Sequence, residues 1–88
     1  MRALAKGKQM APDTNWTVSN LDVRGLEPPE PMERVLDALS LLAEHERLCV
    51  LIDREPRPLY RILDNNGYSH STHARPDYLF EVLIWHKQ

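Results

Sequence analysis

The chain has 88 residues, which is enough for one small domain and too few for two. Hydrophobic residues make up 42% of it and charged residues 27%, proportions that are typical of a folded globular domain. The net charge is −2, and because the first ten residues contribute +3, the remainder carries −5. An acidic domain lacks the clustered cations that bind phosphate backbones, so nucleic acid is not expected as its main partner.

Cysteine content and hydropathy indicate the cellular compartment in which the protein is expected. The single cysteine excludes an internal disulfide and suits a reducing cytosol. No stretch approaches the roughly 20 apolar residues that a membrane helix needs, and the start lacks the apolar run of a signal peptide. We therefore expect a cytoplasmic protein without a membrane association. Residues 1–15 lack apolar periodicity and are predicted to form a flexible tail, which leaves residues 16–88 as the folded domain.

The first predicted elements are a strand and a helix that are joined by a proline-rich turn. In residues 16–23 apolar positions alternate with polar ones, which indicates a strand. A turn at Gly25 follows, and Pro31 suits the first turn of a helix, where its missing N–H is no loss. Apolar residues then recur at helical spacing in one stripe that comprises Met32, Val35, Leu36, Leu39 and Leu42.

The second half repeats this arrangement. Residues 47–53 contain the apolar run of a buried central strand, and Pro58 begins a second helix. Asn65-Asn66-Gly67 ends that helix with residues suited to a left-handed cap. Two further strands are predicted at residues 68–73 and 78–86, with a turn at residues 75–77, and the second of them is rich in aromatic and β-branched residues.

The element order is therefore β-α-β-α-β-β. Right-handed βαβ crossovers place both helices on the same face of the sheet. We predict an α/β (α+β) two-layer sandwich, in which a mixed four-stranded sheet carries two helices on one face.

Residues 21–31 resemble the signature of the TusA/SirA-like sulfur-carrier family. In that family the strand–turn–helix segment carries Cys-Pro-x-Pro, and the cysteine thiolate holds the travelling sulfur. Here Pro29-Glu30-Pro31 matches Pro-x-Pro, but Pro28 stands at the cysteine position. The resemblance covers residues 18–86 and implies the sheet order 1-2-4-3 with strand 4 antiparallel. Residues 53–60 look like a cysteine-less branch of the group, a conserved domain of unknown function.

The resemblance and the missing cysteine together imply a function. The expected protein is a non-catalytic TusA/SirA-like domain without a cofactor that binds a protein partner or a small anion as an accessory or regulatory module. Relatives of the cysteine-less branch occur joined to or near hemerythrin-like and redox proteins, which implies a redox or metal-enzyme partner. The alternative is a sulfur carrier that uses Cys49. RNA binding, by the fold's similarity to the C-terminal domain of a translation initiation factor, is an analogy that the acidic balance opposes.

Charged residues gather where the first two strands end and the two helices begin. Ligands of open α/β sheets bind at this edge, and helix N-termini favour anions. Arg24, Asp53, Arg54 and Arg57 are therefore the candidate ligand-binding residues. The alternative is that these arginines only pair with the neighbouring acids, among them Glu27, Glu30 and Glu55, in surface ion pairs.

Cys49 and the histidines are the other candidates for chemistry. Cys49 lies in mid-strand between apolar neighbours, so we expect it to pack rather than to react. A turn centred on Pro76 would pair position 73 with 78 and 70 with 81, and would place His86 near residue 65. His70 and His73 would then point to opposite faces of the sheet, so no shared metal site is predicted.

The sheet face without helices is a candidate partner surface. If the β-branched sides of strands 2 and 4 face the helices, the open face carries Leu51, Leu83 and Trp85, together with Cys49 and either Trp16 or Val18. A contiguous apolar patch on a small domain often marks a site for a partner or a second copy. The alternative is that the N-terminal tail covers it.

Overall fold

A computed structural model describes residues 16–87 of the chain. The predicted tail at residues 1–15 lies outside the described residues. The elements are β1 (Thr17–Asp22), α1 (Glu30–Ser40), β2 (Glu46–Ile52), α2 (Arg57–Asn65), β3 (Tyr68–Ala74) and β4 (Phe80–His86). No helix within residues 16–87 is long and apolar enough to cross a membrane.

The four strands form one mixed sheet in the order β1-β2-β4-β3. β1 and β2 are parallel, and β4 runs antiparallel to both of its neighbours. The predicted element order, strand order and strand directions are confirmed. Two inner strands, β2 and β4, therefore carry the centre of both sheet faces.

One hydrophobic core lies between the sheet and the two helices. Val35 and Leu39 of α1 and Leu59 and Leu63 of α2 are buried against the strand residues of the same sheet face. Those strand residues are Leu48, Val50, Ile52, Val82 and Ile84. The alternate positions of β2 and β4 are only half-buried and point to the open side, as the sequence pattern predicted.

Prolines begin both helices and a glycine follows the second. α1 begins at Glu30 with Pro31 in its first turn, and α2 begins at Arg57 with Pro58 next. Both starts lie where they were predicted. After α2, Gly67 takes a φ of 82°, a left-handed conformation in which glycine avoids the steric cost of a Cβ.

The predicted pairing of β3 with β4 is wrong. His73 pairs with Glu81 and His70 with Ile84, and His86 pairs with Tyr68 instead of lying near residue 65. The reason is that Tyr78 does not continue β4: its φ is 68°, and its N–H donates to the Arg75 carbonyl at 3.1 Å. The turn is therefore longer than predicted, and β4 begins only at Phe80.

Candidate functional site

A cleft of about 380 Å³ opens at the sheet edge where β1 and β2 end and both helices begin. Its floor is the top of the core, formed by Val35, Val50 and Leu59. Its walls are mainly proline rings, contributed by Pro28, Pro29, Pro31, Pro56 and Pro58. Pockets of this size with apolar walls and few polar groups are typical of small-ligand sites.

The two turns that frame the cleft are fastened to each other. Gly25, with a φ of 77°, donates its N–H to Oδ2 of Asp53 at 3.0 Å. One residue before Arg24, the N–H of Val23 donates to the Leu51 carbonyl at 3.0 Å. Because β1 and β2 are adjacent and parallel, their following turns lie side by side, and these bonds fix the rim before any ligand arrives.

The helix N-termini offer few free amides to an anion. Pro31 and Pro58 have no N–H, and the N–H of Glu30 donates to the Glu27 carbonyl at 2.9 Å. In α2 the N–H groups of Arg57 and Leu59 donate to carbonyl oxygens of the preceding turn. The helix dipoles still favour negative charge at the cleft, but side chains must supply most of the hydrogen bonds.

Two of the four predicted ligand residues lie outside the cleft and hold ion pairs. Arg24 forms a bidentate ion pair with Asp22, in which Nη2 donates to Oδ2 at 2.7 Å and Nε donates to Oδ1 at 2.9 Å. This guanidinium lowers the pKa of Asp22 to about 2, and Asp22 in turn raises the pKa of Arg24, to which the charges of Asp77 and Asp53 add. The Nε of Arg57 lies 3.3 Å from Oε1 of Glu55.

The other two predicted residues, Asp53 and Arg54, do line the cleft. Arg54 is exposed and forms no ion pair with any residue of 16–87. The structure therefore brings together two acids, Glu27 and Asp53, one cation without an ion pair within residues 16–87, and a large apolar wall. Sequence reasoning missed this apolar wall, because the prolines were interpreted only as helix starts. The signal that could have revealed it is that two proline-containing turns follow adjacent parallel strands, which brings the turns together.

Cys49 lies on the opposite side of the sheet from the cleft. It is half-buried, and burial raises the pKa of its thiol, with a smaller contribution from the charge of Glu81. Both effects keep the thiol protonated, whereas a reactive thiolate needs a lowered pKa. The expectation that Cys49 packs among apolar neighbours agrees with this environment.

The histidines do not converge. His70 donates from Nε2 to Oδ1 of Asp64 at 3.0 Å and stacks on Tyr60 with ring centroids 4.8 Å apart. His73 lies on the other sheet face, beside Glu81. Within residues 16–87 no three His, Cys, Asp or Glu side chains are grouped closely enough to hold a metal ion.

The open sheet face consists of three cross-strand rows. We call them the tryptophan row (Val18, Arg47, Trp85 and Ser69), the middle row (Asn20, Cys49, Leu83 and Ser71) and the acidic row (Asp22, Leu51, Glu81 and His73). The predicted partner residues Leu51, Leu83 and Trp85 thus lie in three different rows of one face. All three are half-buried.

A stacked arginine dominates the tryptophan row. The guanidinium carbon of Arg47 lies 4.2 Å from the ring centroid of Trp16 and 4.8 Å from that of Trp85. Arg47 forms no ion pair within residues 16–87, and its buried Nε has no hydrogen-bond partner there. Cation–π attraction to the two rings holds the guanidinium on the open face without an acid to neutralise its charge within residues 16–87. Sequence reasoning missed this residue, because only the strand register shows that Trp85 faces it.

Comparison with known proteins agrees with this architecture. The crystal structure of a SirA-like protein from Desulfitobacterium hafniense superposes with a TM-score of 0.69 and is 24% identical, over 82% of this chain and all of that one. This similarity shows a shared fold. No curated protein matches the chain.

The sequence itself matches a family described as "Uncharacterized conserved protein (DUF2249)" over residues 20–86. That range contains the whole helix–sheet unit from the second half of β1 to the end of β4. The chain therefore belongs to the DUF2249 family of uncharacterized conserved proteins, which here has a SirA-like fold.

Proposed function

We propose that this protein is a non-catalytic binding module, whose cleft between the helix N-termini takes a small apolar carboxylate. The observation that carries the proposal is the position of Pro28. It stands where the resembling sulfur carriers place their cysteine, and it contributes a ring to the cleft wall. A carrier's nucleophile is thereby replaced by an apolar contact surface.

The form of the cleft supports a ligand with two parts. The proline rings and the core residues beneath them offer apolar contact to a hydrocarbon or aromatic body. Arg54, which has no ion pair within residues 16–87, supplies a planar donor for a carboxylate, and two helix dipoles point their positive ends the same way. Glu27 and Asp53 also line the cleft and would repel a carboxylate that entered away from Arg54.

The test is a titration of the isotope-labelled protein, followed by its amide NMR signals, with benzoate as the probe and benzamide as its neutral counterpart. Benzoate is expected to shift amides of residues 24–31 and 53–59 first. Arg54→Gln should weaken benzoate binding by about tenfold, since a hydrogen bond to a charged group contributes about 1.5 kcal/mol or more. Arg57→Gln, which removes an arginine outside the cleft, is the matched control and should leave the affinity unchanged.

Two results would contradict this site. Shifts concentrated around His70 and His73 would place the ligand elsewhere, and equal binding of benzamide would remove the role of Arg54. In the accessory role that we propose, occupancy of the cleft would be the signal that a protein partner reads.

The alternative function, sulfur transfer through Cys49, is tested separately. The half-buried position of Cys49 and the raised pKa of its thiol oppose it. Incubation with a persulfide donor, followed by intact-mass measurement, is expected to leave the native protein unmodified. A stoichiometric gain of one sulfur atom that disappears in Cys49→Ser would overturn the non-catalytic assignment.

A further inference from the structure

We propose that the open sheet face binds a second copy of the chain in a twofold-symmetric dimer, with the tryptophan row of each copy over the acidic row of the other. The proposal concerns the side of the sheet opposite the cleft and is independent of the function proposed for it. It follows from the distribution of charge over the three rows.

The face is electrostatically two-ended. At one end the Arg47 guanidinium lies close to two tryptophan rings and lacks an acidic partner within residues 16–87. At the other end Asp22 and Glu81 flank Leu51 in the acidic row. These two acids and Asp77 share two arginines, Arg24 and Arg75, so that the acids are in excess there. A cation without an acid and a surplus of acids lie on one surface.

The middle row separates the two ends and is suited to a symmetry axis. Cys49 and Leu83 lie at its centre on the two inner strands, and both are half-buried without charge. Apolar residues at these positions are unexpected on a strand face that meets water. Pairing of the middle rows of two copies would bury them.

Only one face-to-face twofold arrangement matches the charges. An axis along the strands would place Arg47 over Arg47 and the acidic row over the acidic row. An axis along the middle row instead reverses the strand direction and places Arg47 over Leu51 of the second copy, between that copy's Asp22 and Glu81. Because a twofold interface repeats every contact, this complementarity acts twice. Facing sheets pack about 10 Å apart, a distance that long side chains such as Arg47 bridge.

The charge pattern therefore selects a second copy as the occupant. In β2, Arg47 lies two residues before Cys49, and Leu51, which Asp22 and Glu81 flank, lies two residues after it. The cation and the acids are therefore equally far from the middle row, as a twofold axis along that row requires. Opposite charges across an interface fix register and exclude the like-charged alternative.

Sedimentation equilibrium of the full chain tests the dimer. The unmodified chain is expected to dimerise. Arg47→Glu places two acids opposite each other and Glu81→Arg two cations, so each single change should weaken the dimer by about tenfold or more, since facing like charges are strongly disfavoured. The double variant Arg47→Glu with Glu81→Arg exchanges the charges and should restore association. Circular dichroism of each variant checks the fold.

Protection of the single thiol tests the register without any substitution. The chain has one cysteine, so alkylation by a maleimide reports on Cys49 alone. The proposed axis buries the two Cys49 side chains against each other, so the rate of alkylation is expected to fall several-fold as the protein concentration is raised through the dimer range. In Arg47→Glu, which weakens the dimer, the rate should depend much less on concentration.

Three outcomes would overturn the proposal. The first is a chain that stays monomeric at high concentration, because the face would then not bind a second copy. The second is a dimer that the single charge reversals leave intact. The third is a dimer in which Cys49 is alkylated as fast as in the monomer, since the two copies would then meet through another surface.

Discussion

Asp22 illustrates how much a single neighbour determines at the residue scale. It accepts hydrogen bonds from both the backbone N–H and the guanidinium of Arg24, two residues away, and these lower its pKa from 3.8 to about 2. A carboxyl with a lowered pKa in the folded state stabilises the fold above its unfolded pKa. That contribution is lost as the pH falls from near 3.8 to near 2.

The first prediction follows from this loss of stability at low pH. Between pH 4 and pH 2 the thermal midpoint of Asp22→Asn should fall less steeply than that of the unmodified protein. The effect is expected to be small, because both side chains are about half exposed. Carboxyl-carbon NMR titration supplies the direct readout: the Asp22 signal should titrate near 2, and at a higher pH in Arg24→Gln, which loses the guanidinium but keeps the backbone N–H bond. An Asp22 signal that titrates near 3.8 in the unmodified protein would show that the pair does not form.

Tyr78 carries a conformational cost that its side chain does not offset. Its φ of 68° lies in the left-handed region, and its ring is 89% exposed. Left-handed backbone costs an ordinary residue roughly 1–2 kcal/mol, whereas asparagine adopts it more readily.

We therefore predict that Tyr78→Asn stabilises the fold by about 0.5–1 kcal/mol, which raises the thermal midpoint of a domain this small by roughly 2–8 °C. Differential scanning calorimetry gives the midpoint. Tyr78→Ala is the matched control, because it removes the exposed ring without supplying the short polar side chain that favours left-handed backbone in asparagine, and it should leave the midpoint almost unchanged. Equal gains in both variants would locate the cost in the ring instead.

At the scale of elements, α2 is short and depends on its packing. It has nine residues, and isolated helices of that length are unstable in water. Leu59 and Leu63 anchor its buried side in the core, while Tyr60 ties it to β3 through a 2.6 Å hydrogen bond with Thr72. The helix that forms one wall of the cleft is thus held by two leucines and one hydroxyl.

Leu63→Ala tests this dependence. The side chain is fully buried, so its truncation should lower the free energy of unfolding by about 3 kcal/mol, within the usual range of 2–5 for such changes. Leu41→Ala, at an 85% exposed leucine after α1, should change it by no more than about 0.5 kcal/mol. Urea denaturation measures both. Similar losses in the two variants would mean that Leu63 is not the core residue described.

The same elements mark how far the sequence alone leads. Periodicity predicted every helix and strand, because burial of one face imposes a period of 3.6 or 2 on the side chains. The β3–β4 register was wrong, because a tyrosine in left-handed backbone is indistinguishable in sequence from a strand residue. At the cleft, Asp53 and Arg54 were found by topology. Pairing of Arg24 and Arg57 with neighbouring acids was the alternative interpretation, and Glu55 was among those acids. Which arginine pairs with which acid depends on side-chain conformations that no pattern encodes.

At the scale of the whole molecule, the sheet separates two surfaces of different character. The side chains of Val50 and Ile52 form part of the cleft, whereas Leu51 between them belongs to the acidic row. One strand thus contributes to both surfaces, but β2 is an inner strand whose backbone is paired on both sides. Such a strand has little freedom to shift when either surface is occupied.

The last prediction is therefore independence of the two sites. Saturating benzoate should change the dimer dissociation constant by less than about twofold, which corresponds to a coupling free energy below about 0.4 kcal/mol, and by reciprocity dimerisation should change benzoate affinity equally little. Sedimentation equilibrium with and without benzoate measures the first effect, and titration of the double charge-exchange variant and of Arg47→Glu measures the second. Asp53 is the residue that could couple the two surfaces. It lines the cleft, it accepts a hydrogen bond from the Gly25 N–H, and its charge raises the pKa of Arg24 beside the acidic row. A ligand that displaces Asp53 would couple the two surfaces, and Asp53→Asn would then abolish the coupling.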